Sequence, residues 1–247
     1  MKFVTPKVSL IGRTVLDIDG AIEFLRGSYG GNDWLHGRFL EDVPDHEILL
    51  ELAGRLCYDS FSEDGGNPNV TRIRKDRIEY LQNLIKSGHG SVLEHVVFNF
   101  GFENVSVVMT QELIRHRVGT AISQESGRYV RPTELEIVDT PYMQDPANRD
   151  RLYTKFNRQW REYVDEVSRH DWDNMPFSEK KELTSELRGM LPMRRATRLV
   201  WSGNIRTLRH VIELRTSKHA EWEIRYVFSQ VLDQMLEQSY HLFQDLK

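Results

Sequence analysis

Between Val96 and Phe102 the residues alternate. Phe98, Phe100 and Phe102 fall on one side, and Asn99 and Gly101 on the other. That period of two is the mark of a half-buried strand, which must cover its aromatic face with another layer. Just downstream, Ser106 is placed to open a short helix through Val107, Val108, Leu113 and Ile114. Serine suits that position because its side chain accepts from a free amide of the first turn. The helix delivers Arg115, His116 and Arg117 where helix meets loop, a good platform for reaching a ligand.

The remaining segments are mostly helical in period. Val8 to Ile18 has strand-like apolar content, and the glycines between Ser28 and Asn32 read as loop. Asp45 is placed to cap a helix with an apolar face of Ile48, Leu49, Leu52 and Leu56. Cys57 follows that stripe and is expected to pack in the core. Ser60 to Asn69, with Gly65, Gly66 and Pro68, reads as a polar loop. A helix from about Thr71 to Ser87 carries Ile78, Leu81, Leu84 and Ile85, with Gly88 as its stop. Pro132 to Pro146 reads as a connection, and a long helix follows from about Arg149 to Arg169. Its stripe of Leu152, Phe156, Trp160, Val164 and Val167 fits a core or a subunit interface equally. Ser178 is expected to cap a helix through Leu183 and Leu187. Asn204 caps one holding Leu208, Val211 and Ile212, and Glu221 to Phe243 forms the last, burying Ile224, Val227, Phe228, Val231 and Met235. With no internal repeat, low-complexity tract or linker, residues 1–247 read as one α+β domain, helix-rich with a small antiparallel sheet.

Charge narrows the function classes. A formal net charge of -4 argues against a general nucleic-acid binder. Positive charge is instead local, around Arg115–Arg128 and Arg188–Arg198, which favours a small anionic ligand. No apolar run approaches a membrane span and no basic-then-apolar leader opens the chain, so a cytoplasmic protein is expected. The single cysteine excludes an intrachain disulfide and a multi-cysteine zinc site. His89 and His95 are six apart and do not share a helical face, so no metal site is read there. After the cationic triplet come small residues and then Ser126, Gly127 and Arg128. Small residues let a backbone approach a ligand, and exposed amides beside guanidiniums suit phosphate. For an isolated triplet the plainer reading is a solvated helix end, and its neighbours decide otherwise.

The stretch Arg115 to Tyr129, RHRVGTAISQESGRY, resembles the signature of the flavin-dependent thymidylate synthases, which is RHR, seven residues, then Ser-x-Arg. Here the spacer, Val118 to Glu125, is one residue longer. Three further segments carry the likeness. His89 to His95 is similar to H-x-T/S-x-x-E-H, and Arg188 to Pro192 to R-x-x-L-P. Asn204, Arg206, Leu208, Leu214, Arg215, Ala220, Trp222 and Glu223 follow N-x-R-x-L, L-R and A-x-W-E. A Cys-Tyr pair like Cys57-Tyr58 is also familiar in that family, so the matched segments run from Cys57 to Arg225, most of the chain.

The resemblance implies reductive C5-methylation of a uracil nucleotide, dUMP to dTMP, with FAD as cofactor. Methylenetetrahydrofolate would give the carbon and NADPH the reducing equivalents. Carried over by position, the flavin would meet His89, Ser91, Glu94, Arg115, His116, Arg117, Ser123, Asn204, Arg206 and His210. The nucleotide would meet Glu112, Gln124, Ser126, Gly127, Arg128, Arg188 and Arg215. The resemblance also implies a homotetramer with sites shared between subunits. Arg215 would act electrostatically on charge developing in the uracil ring, the one catalytic assignment. Ser126 has no local triad and is assigned to nucleotide binding. FAD is an anionic dinucleotide, so Arg115 and Arg117 could hold it without a Rossmann glycine fingerprint. The longer spacer keeps UMP as an alternative substrate, with 5-methyl-UMP as product. A non-catalytic flavin- or nucleotide-binding protein is the alternative of another class, and loss of Arg115, Arg128 or Arg215 would have marked it.

Overall fold

A computed structural model describes the chain except residues 63–66 and residue 71. The expected half-buried strand is β3, Val97–Ser106, the longest of a four-stranded antiparallel sheet. Its neighbours are β2 (Lys7–Arg13) and β6 (Ala196–Asn204), with β4 (Thr120–Gln124) on the outer edge of β6, in the order β2-β3-β6-β4. A separate parallel pair joins β1 (Lys2–Val4) to β5 (Glu136–Val138). Phe98, Phe100 and Phe102 are fully buried, and Phe100 pairs with Trp201 of β6.

Two helices cover that aromatic face. In α8 (Ile205–Thr216) Ile205, Leu208, Val211 and Ile212 are buried, and in α9 (Trp222–Phe243) Ile224, Val227, Phe228, Val231 and Met235 are. Phe228 meets Trp201 edge to face with ring centroids 5.5 Å apart, a favoured aromatic geometry. The other sheet face carries small and polar groups, among them Asn99, Gly101 and Ser202, with the Ser202 hydroxyl 2.5 Å from Asn99 Oδ1. The expected α+β class therefore holds.

Around this core lie α1 (Ile18–Leu25), α2 (Gly31–Leu40), α3 (Asp45–Leu56) and α4 (Arg77–Lys86) on the N-terminal side. The short α5 (Val107–Leu113) leaves β3 directly, capped by Ser106, whose side chain accepts from the Met109 amide at 3.1 Å. Further on come α6 (Pro146–Ser168) and α7 (Phe177–Leu187). Phe156 and Tyr163 of α6 are buried in satellite clusters while Val164 is exposed, so this helix packs as core along one side. Among the described residues no helix is long and apolar enough to cross a membrane.

Several expectations change. Strand β2 stops at Arg13, and Ile18 instead opens α1, capped by Asp17. The helices α1 and α2 have no counterpart in the sequence reading. Asp45 does not cap α3; it accepts from the Leu16 amide at 3.1 Å, and Pro44 holds the cap position. Leu56 is exposed, and the buried face of α3 includes Leu50. Cys57 is exposed rather than core, because it stands one step past the end of α3. Residues 72–76 are not helical: Asp76, accepting from the Glu79 amide at 2.7 Å, caps α4 there. The expected helix start at Thr71 and the Gly65-Gly66 loop lie outside the described residues. Pro176, not Ser178, precedes α7.

The N-terminal helices are tied in by buried polar groups. Glu51 is fully buried and receives Arg38 Nη2 at 2.8 Å and Arg55 Nη2 at 2.7 Å. Arg55 also donates to the carbonyls of Ser60 and Arg74, at 2.7 and 2.6 Å, and Arg38 to that of Lys75 at 3.0 Å. These bonds hold both ends of the 60–75 connection. At the start of α3, His46 is buried with Nε2 2.8 Å from Ser239 Oγ, where α9 kinks at φ -155° and ψ 69°.

Burial pushes the His46 imidazole down to about 4 from its ordinary 6.5. The unfolded chain therefore binds the proton first, and this contribution to stability is complete above about pH 6.5 and lost as pH falls towards 4. Urea unfolding at pH 7 and at pH 4.5 should show His46→Gln losing less stability between the two than the parent, by on the order of 1–3 kcal/mol. Equal losses would remove His46 from that pH dependence.

Candidate active site

The cationic triplet stands where it was expected, in the turn between α5 and β4. Arg115 and Arg117 are exposed, and His116 is half-buried. Across from them α8 presents its own charged residues. Arg215 Nε donates to His116 Nε2 at 2.8 Å, and Arg215 Nη1 lies 3.1 Å from Glu112 Oε2. Because Nε2 accepts that bond, His116 is neutral there with its proton on Nδ1. Burial lowers the His116 pKa, and the charges of Arg215 and Arg115 and the neighbouring His210 lower it further. The His210 ring meets that of His116 edge-on at 6.4 Å.

Glu112 is pushed up from the ordinary carboxylate range, first by burial and then by Glu221; Arg215 opposes this without reversing it. Arg215 is thus held at two of its nitrogens by groups from α5 and the following turn. Its Nη2 has no protein partner among the described residues.

The N-terminal end of α8 organises a second group. Asn204 caps the helix, accepting from the Thr207 amide at 2.9 Å. Arg206 Nη1 lies 2.6 Å from Glu94 Oε1, at the end of the 3-10 turn Val92–Glu94, with both side chains largely exposed. Gly90 sits close under Arg206, so that a Cβ there would be 3.1 Å from Nε. Arg206 and His210 are one turn apart and share a side of α8. Ser91 is exposed beside Gly90. His89 faces Tyr58 edge-on at 5.8 Å and lines a 230 Å³ cavity with Arg55 and Tyr80.

The loop after β4 forms a third group. The Ser126 carbonyl accepts from the Tyr129 and Val130 amides, at 3.0 and 2.9 Å, and its hydroxyl from the Arg128 amide at 3.3 Å. No histidine or carboxylate bonds to that hydroxyl among the described residues. Tyr129 stacks on Phe177 at 6.3 Å, tying the loop to α7 and so to Arg188 just beyond its end. The stem of Arg188 comes within 3.5 Å of a Cβ placed on Gly127. Arg128 and Arg188 are both exposed.

Ser123 and Gln124 lie on β4, exposed at the edge of the sheet. That strand, like β6, was missed in the sequence. All of its five residues but Ile122 are small or polar, and pairing with β6, from Thr120↔Gly203 to Gln124↔Leu199, makes them a strand. This ladder runs without a bulge. What precedes it is Gly119, at φ +68°, whose carbonyl accepts from the Asn204 amide at 3.2 Å, while Thr207 Oγ1 donates to the Val118 carbonyl at 2.8 Å.

The predicted nucleotide residues therefore divide within one chain. Glu112 and Arg215 belong to the first group, and Ser126, Gly127, Arg128 and Arg188 to the third; no hydrogen bond or ion pair joins the two among the described residues. The donor set suits an anionic dinucleotide: Arg115 and Arg117 are exposed and without ion pairs among the described residues, and Gly90 leaves backbone open beside Arg206. One residue that the sequence reading passed over, Arg195, also lies against Gly127. It sits inside the basic segment already noted, and nothing in the motif spacing distinguishes it from Arg194 or Arg198.

Exposed cationic groups gathered at helix ends and beside a sheet edge have the chemistry that suits phosphate-bearing ligands. Residues 38–239 match the family model described as "Thymidylate synthase complementing protein". The chain is also 33% identical over 211 residues to the flavin-dependent thymidylate synthase of Mycobacterium marinum, covering 83% of this chain and 82% of that protein. It is 34% identical over 211 residues to that of Mycobacterium tuberculosis, with the same shares covered. A third relative of the same name, from Mycolicibacterium vanbaalenii, is 33% identical over 212 residues, again covering 83% and 82%. The chain belongs to the flavin-dependent thymidylate synthase family, a family of enzymes.

Gly119→Ala places a side chain at positive φ and drives its Cβ into Thr207 Oγ1 and Asn204 Nδ2. Chemical denaturation should report a loss of more than about 1 kcal/mol. Ala121→Gly on the neighbouring strand should cost less, since only a weak strand preference is changed. A Gly119→Ala protein as stable as its parent would mean that the turn relaxes freely.

Proposed function

We propose that this chain methylates dUMP to dTMP, using methylenetetrahydrofolate as carbon donor, FAD as cofactor and NADPH as reductant. The observation that carries the reading is the arrangement at Arg215. Its guanidinium is fixed by Glu112 and by the neutral His116 ring, and Nη2 remains for a ligand. A donor fixed before the reaction costs no reorganisation when charge develops on a substrate oxygen. In this family's reaction that charge develops as uracil C5 becomes a carbon nucleophile, and Arg215 stabilises it.

The flavin, when bound, supplies the hydride chemistry. The chain's part is to bind and orient. Arg115 and Arg117 neutralise the diphosphate of the dinucleotide, while Arg206, oriented by Glu94, and His210 line the same side of α8. Ser126, Gly127, Arg128 and Arg188 take the nucleotide phosphate, through amides and guanidiniums together.

The homotetramer that the family resemblance implies, with a second copy completing each site, is part of this reading. The sheet edge at β4, exposed beside Ser123 and Gln124, leaves a surface for such a copy.

A second reading concerns the substrate's ribose. The spacer of eight residues meets an unbroken β4 ladder, so the residues outside that ladder are Val118 and Gly119 before the strand and Glu125 after it. One added residue can displace a ligand-facing group by up to about 3.5 Å. That is room enough for a 2′-hydroxyl, provided a partner meets it, since an unpaired buried hydroxyl costs roughly 1–3 kcal/mol. UMP methylation to 5-methyl-UMP is the alternative this supports, and dUMP remains the preferred substrate.

Two measurements test these readings. Arg215→Ala should lower turnover at saturating dUMP about a hundredfold or more while flavin absorbance of the purified protein is retained. Near-normal turnover would overturn the electrostatic role. In parallel assays of dUMP and UMP with methylenetetrahydrofolate and NADPH, the ribose reading expects methylated UMP, and a smaller UMP share after removal of Val118. If UMP is neither bound nor methylated where dUMP saturates, only the deoxynucleotide reading stands.

A further inference from the structure

Beside the Ser126–Arg128 turn lies an open cleft of about 530 Å³, with Gly127 in its wall. Most of the charged groups around it are accounted for. Glu134 and Glu136 turn to Lys2 Nζ, at 3.2 and 2.8 Å. Arg198 Nε lies 3.6 Å from Glu125, and Arg131 covers the Trp172 ring at 3.8 Å.

Arg195 differs. It is half-buried, and among the described residues its guanidinium has no ion pair, side-chain hydrogen bond or aromatic partner. Its backbone is fixed by two hydrogen bonds, to the Pro192 carbonyl at 3.0 Å and from the Val107 amide at 3.3 Å. Its Nη2 lies 3.1 Å from the point where a Cβ on Gly127 would stand, and the stem of Arg188 comes to 3.5 Å of the same point. Two guanidinium side chains therefore reach one glycine, in a turn whose amides are already organised by Ser126. Burial depresses the Arg195 guanidinium below its ordinary range, Arg188 adds to this, and Glu125 and Tyr163 oppose it. A half-buried cation without a protein partner keeps part of its desolvation cost, and an anion arriving in the cleft relieves it.

We propose that Arg195 is a phosphate ligand of the nucleotide site, acting with Arg188 beside the Gly127 turn. This rests on the reading of that turn as nucleotide-binding. It adds a residue that the family motifs do not include: R-x-x-L-P ends at Pro192, before Arg195 is reached. A nucleotide phosphate carries close to two negative charges, which two guanidiniums match in both number and donor geometry.

Calorimetric titration of the FAD-loaded protein separates the outcomes, with dUMP, UMP, deoxyuridine and inorganic phosphate as probes. Arg195→Leu should weaken dUMP about ten- to a hundredfold, the effect of losing a charged hydrogen bond. Deoxyuridine affinity and the flavin spectrum should stay as in the parent, and Arg195→Lys should restore part of the dUMP affinity. Unchanged dUMP affinity in Arg195→Leu overturns the proposal, as do equal losses for dUMP and deoxyuridine. If Arg195→Leu does not fold, Arg195→Gln carries the same comparison. A parent protein that binds phosphate through Arg195 but neither dUMP nor UMP would overturn the substrate reading and leave the anion site standing. Binding of neither phosphate nor nucleotide would overturn both.

Discussion

The site depends on one buried contact, between Ser106 and Glu223. Ser106 ends β3 and caps α5, and both its amide and its hydroxyl donate to the Glu223 carboxylate at 2.6 Å. Glu223 stands in the first turn of α9, the helix that covers the aromatic face of the sheet. The junction that aims Arg115, His116 and Arg117 is thereby fixed to a helix packed into the core. Burial pushes the Glu223 carboxyl up, the two Ser106 bonds oppose this, and Arg194 stands 3.8 Å away. A carboxyl in such a place is tolerated only because its acceptor capacity is used.

From that anchor the charged groups of the site form a relay of constraints. Glu112 lies on α5 and holds Arg215 of α8; Arg215 in turn fixes the tautomer of His116, in the turn after α5. Each group is restrained by a partner on another element, so the guanidinium is placed before any ligand arrives. The same helix α8 carries Asn204, Arg206 and His210 towards its other end, and Asn204 also meets the Gly119 turn through its amide. One twelve-residue helix thus serves two groups of ligand-facing residues. The third group is held differently, by the Tyr129–Phe177 stack and the Ser126 turn.

A second buried charge cluster does for the N-terminal helices what Glu223 does for α5. Glu51 gathers Arg38 and Arg55, whose remaining N–H groups hold the carbonyls of Ser60, Arg74 and Lys75. Replacing one member strands the others in a poorly solvated place, which makes such clusters sensitive to single changes. They also specify where an otherwise irregular connection must run, here the segment leading to α4 and His89.

The sequence by itself determined the local elements whose signals are local. The alternation of Phe98, Phe100 and Phe102, the caps at Ser106 and Asn204, and the stripe of α9 were all legible, because period and cap chemistry act within a few residues. The motif residues were legible too, through their likeness to a family. Tertiary structure decided what depends on partners distant in the chain. Thr120–Gln124 is a strand only because β6 lies beside it, and the central strand Ala196–Asn204 was hidden because its outward positions, Ala196, Arg198, Val200 and Ser202, mix small, charged and apolar residues and blur the alternation. Asp45 has the chemistry of a cap and spends it on the Leu16 amide. Cys57 follows a buried stripe yet points to solvent, because the helix has already ended. Arg195 is indistinguishable from its basic neighbours until the fold pairs Arg198 with Glu125, brings Arg194 to Glu223, and leaves Arg195 against Gly127. Charge is a property of the residue, but whether that charge is already spent is a property of the fold.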